Sequence, residues 1–177
     1  MHERYIARQP IFDSRLRLFG YELLFRDGPK NTFAPTRGAS SSVIVDATML
    51  FDLQMLTGTA KAFINVDRET LLNDAALLLP PEKTVIEILE SVEPTPEIVQ
   101  ACKDLCNRGY ALALDDFVDH PKWAPLTEIA EFLKVDFCIS QIEEREAIAQ
   151  RYGGKKLQLL AEKVETQAHQ RDAEQLG

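Results

Sequence analysis

Six residues of this chain pair a chemistry-bearing side chain with a repeated position. Glu22, Asn65, Glu87, Asp115, Lys134 and Glu162 each lie within or at the end of a short apolar run. Side chains alternate between faces along an extended run, so Phe63 and Asn65 share one side of KAFINV while Ile64 and Val66 take the other. By the same parity Lys134 is opposed by Leu133 and Val135, and Glu162 by Leu159 and Ala161. One face of each run carries the ionisable group and the other offers aliphatics to a neighbouring layer. Glu22, Asn65, Glu87 and Asp115 are hard oxygen donors, and no histidine or cysteine joins them. Such a set suits magnesium or manganese, not zinc. Taken singly, each residue is more simply structural, the charged ones as halves of salt bridges, Lys134 with one of the carboxylates for example. Six on successive runs point to one site.

The run Ala111–Phe117, ALALDDF, organises the rest, because it ends in two adjacent carboxylates, Asp115 and Asp116. Apolar residues on both its faces predict a strand buried in a parallel sheet between helices. An Asp at the C-terminal end of such a strand is where α/β folds place their chemistry. Asp also starts loops well, and for this stretch alone that reading has equal weight.

The elements that must position these groups follow one another as strand and helix. Tyr5–Phe12 and Phe19–Phe25 read as strands joined by the turn Asp13–Arg17, with a patternless loop from Asp27 to Gly38. Apolar spacing at Val43, Ile44, Ala47, Leu50 and Phe51 predicts a helix behind a serine cluster. Strands are expected at KAFINV, TVIEILE, ALALDDF, FLKVDF and KLQLLAEKV. Thr95-Pro96-Glu97 is a helix start, with Ile98, Cys102 and Leu105 as its buried stripe and Gly109 as its stop. Further helices are expected over about 141–152 and 166–176. Seven strands with helical crossovers predict a (β/α)8 TIM-barrel-like fold that lacks its last strand.

A length of 177 residues sets one substantial core, and 45% apolar with 27% charged residues is ordinary for a globular domain. A net charge of −8 argues against a nucleic-acid groove. It leaves room for a small anionic ligand held through divalent cations. No apolar run reaches membrane-spanning length, and the first residues carry no secretory core. The three cysteines, Cys102, Cys106 and Cys138, form no disulfide framework, which points to the cytoplasm.

These motifs, in order and over nearly the whole chain, resemble the EAL-domain phosphodiesterases, bacterial signalling enzymes that linearise cyclic di-GMP. GYELLFR carries Glu22 and Arg26, FINV carries Asn65, and EILE carries Glu87 and Glu90. DDF supplies Asp115 and Asp116, LKVD supplies Lys134, and AEKVET matches the family's AEGVET with Glu162 and Glu165. The opening ARQPIFD…FGYELLFR is most similar to the subgroup in which an EAL domain precedes a helical HDOD module, which would lie beyond Gly177. The resemblance implies a first metal on Glu22, Asn65, Glu87 and Asp115, and a second on Asp115 and Asp116 with loop support from Glu90. It implies that Lys134 orients the attacking water, Glu162 acts as base, and Arg26 meets ligand phosphate. The cofactors would be Mg2+ or Mn2+, and the partner cyclic di-GMP.

The chain departs from the family pattern at the second metal. DDFGTG reads DDFVDHPKW here, and Lys163 stands where AEGVET has glycine. The expectation is therefore binding of cyclic di-GMP with weak or no turnover. A non-nucleotide-binding scaffold that regulates an attached output module is the alternative. A Schiff-base enzyme using Lys134 is a weaker reading, since neighbouring carboxylates would keep the amine charged. An unpaired last strand predicts a homodimer or an aggregation-prone monomer, and a final helix less firmly held than the others.

Overall fold

The computed structural model describes residues 5–26, 53–154 and 156–176, the side chains of Tyr5, Phe25 and Arg26 excepted. The loop expected over 27–38 and most of the helix expected after Ser41 lie outside these residues; only the end of that helix, Leu53–Thr57, is among them. Seven strands form one sheet in sequence order. They are β1 (Tyr5–Phe12), β2 (Leu18–Arg26), β3 (Lys61–Val66), β4 (Thr84–Ile88), β5 (Ala111–Leu114), β6 (Phe132–Asp136) and β7 (Gln158–Glu162). β1 and β2 are an antiparallel pair, and every later neighbour is parallel. Between them run α1 (Leu53–Thr57), α2 (Arg68–Leu72), α3 (Pro96–Asn107), α4 (Ala124–Thr127) and α5 (Ile142–Tyr152), and α6 (Gln167–Leu176) follows β7.

Local chemistry accounts for these boundaries. Thr95 caps α3, its hydroxyl accepting from the Ile98 N–H, and Pro96 occupies the first turn. Ile98, Cys102 and Leu105 are the buried stripe of α3, as their spacing predicts. Asp67 caps α2 in the same way through the Thr70 N–H. β1 and β3 match their apolar runs and β2 extends one residue further at each end, whereas β4 to β7 are shorter than their runs suggest. β5 stops at Leu114, because Asp115 and Asp116 form a turn in which Asp116 enters the left-handed region at φ 40°. β7 covers only the middle of KLQLLAEKV, and Lys163 turns in the same sense at φ 53°.

The sheet curls. In a flat sheet β2 and β6 would stand roughly 19 Å apart, four strand spacings. Instead the rings of Phe19 and Phe132 lie 5.7 Å apart, and Phe63 completes the group at 5.4 Å from Phe132 and 6.1 Å from Phe19. These rings, with Val85, Ala113 and the partly buried Leu160, fill the concave side as a cluster separate from the larger one beneath the helices. Gly20 makes room for them, since a Cβ there would meet the Phe63 ring at 2.9 Å. Curling gives the two faces different tasks. Ala62, Ile64, Ile86, Ile88, Leu112, Leu114, Leu133 and Val135 face outward to the helices.

Among the described residues β7 pairs on one side only. α6, which follows it, has no buried residue; Ala173 and Leu176 pack on the core only partly buried, beside the Arg145–Asp172 ion pair at 2.7 Å and the Phe137–His169 ring contact. Local opening should therefore cost far less in α6 than in α3. Amide hydrogen exchange is expected to run at least ten times faster in α6, and equal protection of the two helices would contradict this account.

Candidate functional site

The polar residues stand two positions beyond the concave apolar layer, strand by strand. Phe63 is followed by Asn65, Val85 by Glu87, Ala113 by Asp115, Phe132 by Lys134, and Leu160 by Glu162. Alternation therefore turns the concave side from apolar to ionisable at the C-terminal ends of the strands. Curling then brings the groups together. Lys134 is only 1% exposed, and its ammonium lies 2.7 Å from Glu87 Oε1, 2.7 Å from Asp115 Oδ1, 2.8 Å from Glu162 Oε1 and 3.5 Å from Glu22 Oε2. Asn65 Nδ2 donates to Glu22 Oε1 at 3.0 Å. All six residues singled out by parity meet at one place.

Four carboxylates around one ammonium leave three negative charges uncompensated if all are ionised. Buried charge of that kind is costly, and the groups respond. Burial holds Glu87 well above the ordinary glutamate range, with Lys134 pulling the other way. Burial likewise pushes Glu162 up to about 7, against the pull of Lys134. For Lys134 burial alone would favour the neutral amine, but Glu87, Asp115, Glu22 and Glu162 outweigh it and hold the ammonium far above its usual range. A lysine locked in its charged form is no Schiff-base nucleophile.

The donor set fits a divalent cation. Asn65 Oδ1 and Glu87 Oε2 are buried oxygens with no hydrogen-bond partner among the described residues. Leaving such acceptors unpaired costs about 1–3 kcal/mol each. A dication among Glu22, Asn65, Glu87 and Asp115 would satisfy both and offset most of the charge excess.

A second acidic group adjoins the first. Glu90, Asp115 and Asp116 bring carboxylate oxygens within 4.8 Å of one another. Here the fit is poor, because the Lys163 ammonium already stands 3.6 Å from Asp116 Oδ1 and contacts Asp136 Oδ2. The loop after Asp116 is also fixed in its own way. The Phe117 N–H donates to the Lys134 carbonyl at 2.8 Å, and the Phe117 ring packs on Tyr152. Asp119 accepts from Arg151 and from the Tyr152 hydroxyl. Arg26 ends β2, and its side chain lies outside the described residues.

Asp136 was missed by the sequence reading, although parity could have found it. It lies two residues beyond Lys134 on the same strand, and its buried carboxylate accepts from the Cys138 and Ile139 N–H groups and from Lys163. Lys163 stood out only as a substitution. Its partner could not be read from spacing, since β6 and β7 had first to be placed side by side.

The raised Glu162 gives a pH dependence. An unfolded glutamate titrates near 4.3, so between there and about 7 the native chain binds the extra proton. Stability of the metal-free chain should then fall as pH rises through that window, by on the order of 2–3 kcal/mol. Added manganese should reverse the trend, because its carboxylate ligands, Glu87 among them, must lose their protons to bind it. Thermal melts with chelator at pH 5.5 and 8 are expected to show the loss, and Glu162→Gln to flatten it. A melting temperature that climbs with pH in the chelated chain would refute this electrostatic picture.

No protein-family model matches the chain. Among curated proteins, the cyclic di-GMP phosphodiesterase CdgJ of Vibrio cholerae is 35% identical over 185 aligned positions, covering 100% of this chain and 42% of that protein. The protein YuxH of Bacillus subtilis is 34% identical, covering 98% of this chain and 44% of its own length. The chain thus spans less than half the length of the curated relatives it matches. Among solved structures, the PaMucR phosphodiesterase in complex with c-di-GMP superposes with a TM-score of 0.77 at 20% identity, over 98% of this chain and 91% of that one. The Bacillus subtilis YkuI protein, solved with an EAL domain, substrate c-di-GMP and calcium, gives 0.72 at 18% identity, over 98% and 52%. The barrel-like fold is that of an EAL domain, and the sequence similarity to CdgJ and YuxH runs over nearly the whole of this chain.

Proposed function

We propose that this chain recognises cyclic di-GMP through a cation-dependent site at the rim of its curled sheet, and hydrolyses it slowly or not at all. The observation that carries the proposal is the ring of four carboxylates with two orphaned buried oxygens, on Asn65 and Glu87. Glu22, Asn65, Glu87 and Asp115 would hold one ion, Mg2+ or Mn2+ by the hardness of their oxygens. When bound, the ion supplies Lewis acidity toward a phosphodiester and a water. Lys134 contributes a fixed positive charge that keeps the carboxylates converged. Glu162, pushed up to about 7, is tuned to take a proton near neutral pH. Arg26 is proposed to meet the ligand's phosphate.

Weak turnover is supported by the second acidic group. Val118 is 62% exposed in a loop pinned through Asp119 to α5, in place of a glycine-rich segment. Electrostatic support for a leaving oxygen would suffer there. The same loop favours the second reading, a regulatory scaffold that binds no nucleotide.

The wider setting belongs to the same proposal. An HDOD module is the proposed partner, on the resemblance of the opening motifs. The β7 edge, unpaired among the described residues, is the proposed dimer surface. A cytoplasmic location is supported by three free thiols. Among the described residues no helix is long and apolar enough to cross a membrane.

Calorimetric titration with cyclic di-GMP, with and without magnesium, is expected to show binding that depends on the ion. Glu87→Gln should weaken magnesium or manganese binding at least tenfold without unfolding the chain, since it removes charge and keeps shape. Heat from neither ligand would favour the scaffold. Brisk conversion to the linear dinucleotide would show that the pinned loop is no obstacle to catalysis.

A further inference from the structure

We propose that Lys163 is a tethered cation that takes the place of a second divalent ion beside Asp116, so the chain binds one ion where its carboxylates outline two. The inference rests on the cation site proposed above and deepens it.

Three observations converge on Lys163. Its ammonium lies 3.6 Å from Asp116 Oδ1, and Asp116 shares the adjoining group with Glu90 and Asp115. It is anchored on Asp136, which is 3% exposed and fixed by the Cys138 N–H at 2.7 Å and the Ile139 N–H at 3.3 Å. The side chain as a whole is 49% exposed, yet its head turns in between two carboxylates when water was open to it.

The backbone adds a fourth point. Lys163 sits at φ 53°, a left-handed conformation that costs a lysine and suits a glycine. The side chain is therefore not there for the sake of the backbone. Its contribution is the charge it delivers to Asp116 and Asp136.

The physical consequence is exclusion. A dication on Asp116 would stand within a few ångströms of a like charge held in place by a buried carboxylate. Asp115, the other shared ligand, is one that the first ion of the proposed site would already hold. The remaining member, Glu90, is exposed and offers little to offset the repulsion. Removing the ammonium leaves Glu90, Asp115 and Asp116 with negative charge facing, among the described residues, no cation but Lys134, which is the condition for a dication to enter.

Manganese loading read by paramagnetic resonance tests this in the wild type, Lys163→Gly and Lys163→Gln. The glycine variant relaxes the backbone, and the glutamine variant keeps a polar side chain, one atom shorter, and the backbone demand while losing the charge. The wild type should bind one isolated ion per chain. Both variants should bind two and show spin coupling, since ions sharing Asp115 would stand roughly 3.5–4 Å apart. Ions scattered over the acidic surface would raise the count without coupling. A coupled pair in the wild type, or none in either variant, overturns the role of Lys163. Coupling in the glycine variant alone assigns the effect to the backbone and overturns the charge argument. No bound ion in any of the three overturns the underlying cation site and this inference with it.

Discussion

The ion cluster around Lys134 is the constraint from which the rest follows. Its four carboxylates come from β2, β4 and β7 and from the residue just past β5, while the ammonium itself comes from β6. Such a contact set exists only if the sheet is curled, because β2 and β6 are four strands apart in order. Curling in turn requires a filled concave side, which the three phenylalanine rings provide, and a gap for them, which Gly20 leaves. The site and the fold are thus one argument. The cluster does not stabilise by charge balance alone, since buried ion pairs seldom repay their desolvation. It fixes geometry, and its surplus of acid is what makes the place receptive to a cation.

Much of this was legible in the sequence, for physical reasons. Alternation along a strand is rigid, so the pairing of Phe63 with Asn65 or Phe132 with Lys134 on one face followed from counting. The cap at Thr95 and the stripe Ile98, Cys102, Leu105 are equally local. What lay beyond reach were contacts between strands distant in order. That Lys134 touches four carboxylates, and that Asp136 and Lys163 hold one another, depends on register between β6 and β7 and on curvature. Strand ends were also overextended. A carboxylate following an apolar run gives no sign of whether the chain turns before or after it, and the positive φ of Asp116 decided that point.

The two acidic groups show how one residue alters the meaning of a motif. Asp115 and Asp116 are adjacent in sequence but answer to different lysines, Asp115 to Lys134 and Asp116 to Lys163. The first lysine is buried and held by the sheet. The second reaches in from a half-exposed stem. A pair of neighbouring aspartates therefore does not by itself describe a two-ion centre. The cations that the chain carries at each aspartate must be counted as well.

The ring-filled layer below the cluster makes the site one-sided. Phe63 and Phe132 are buried and carry no polar atom, so the carboxylates rest on a floor that neither conducts protons nor hydrates ions. Traffic has to pass the rim at the C-terminal ends of the strands. The Lys134 carbonyl, which receives the Phe117 N–H, ties one wall of that vestibule to the strand carrying the central ammonium. Entrance and interior are in this sense a single mechanical unit, and loosening the doorway would be felt at the cluster it guards.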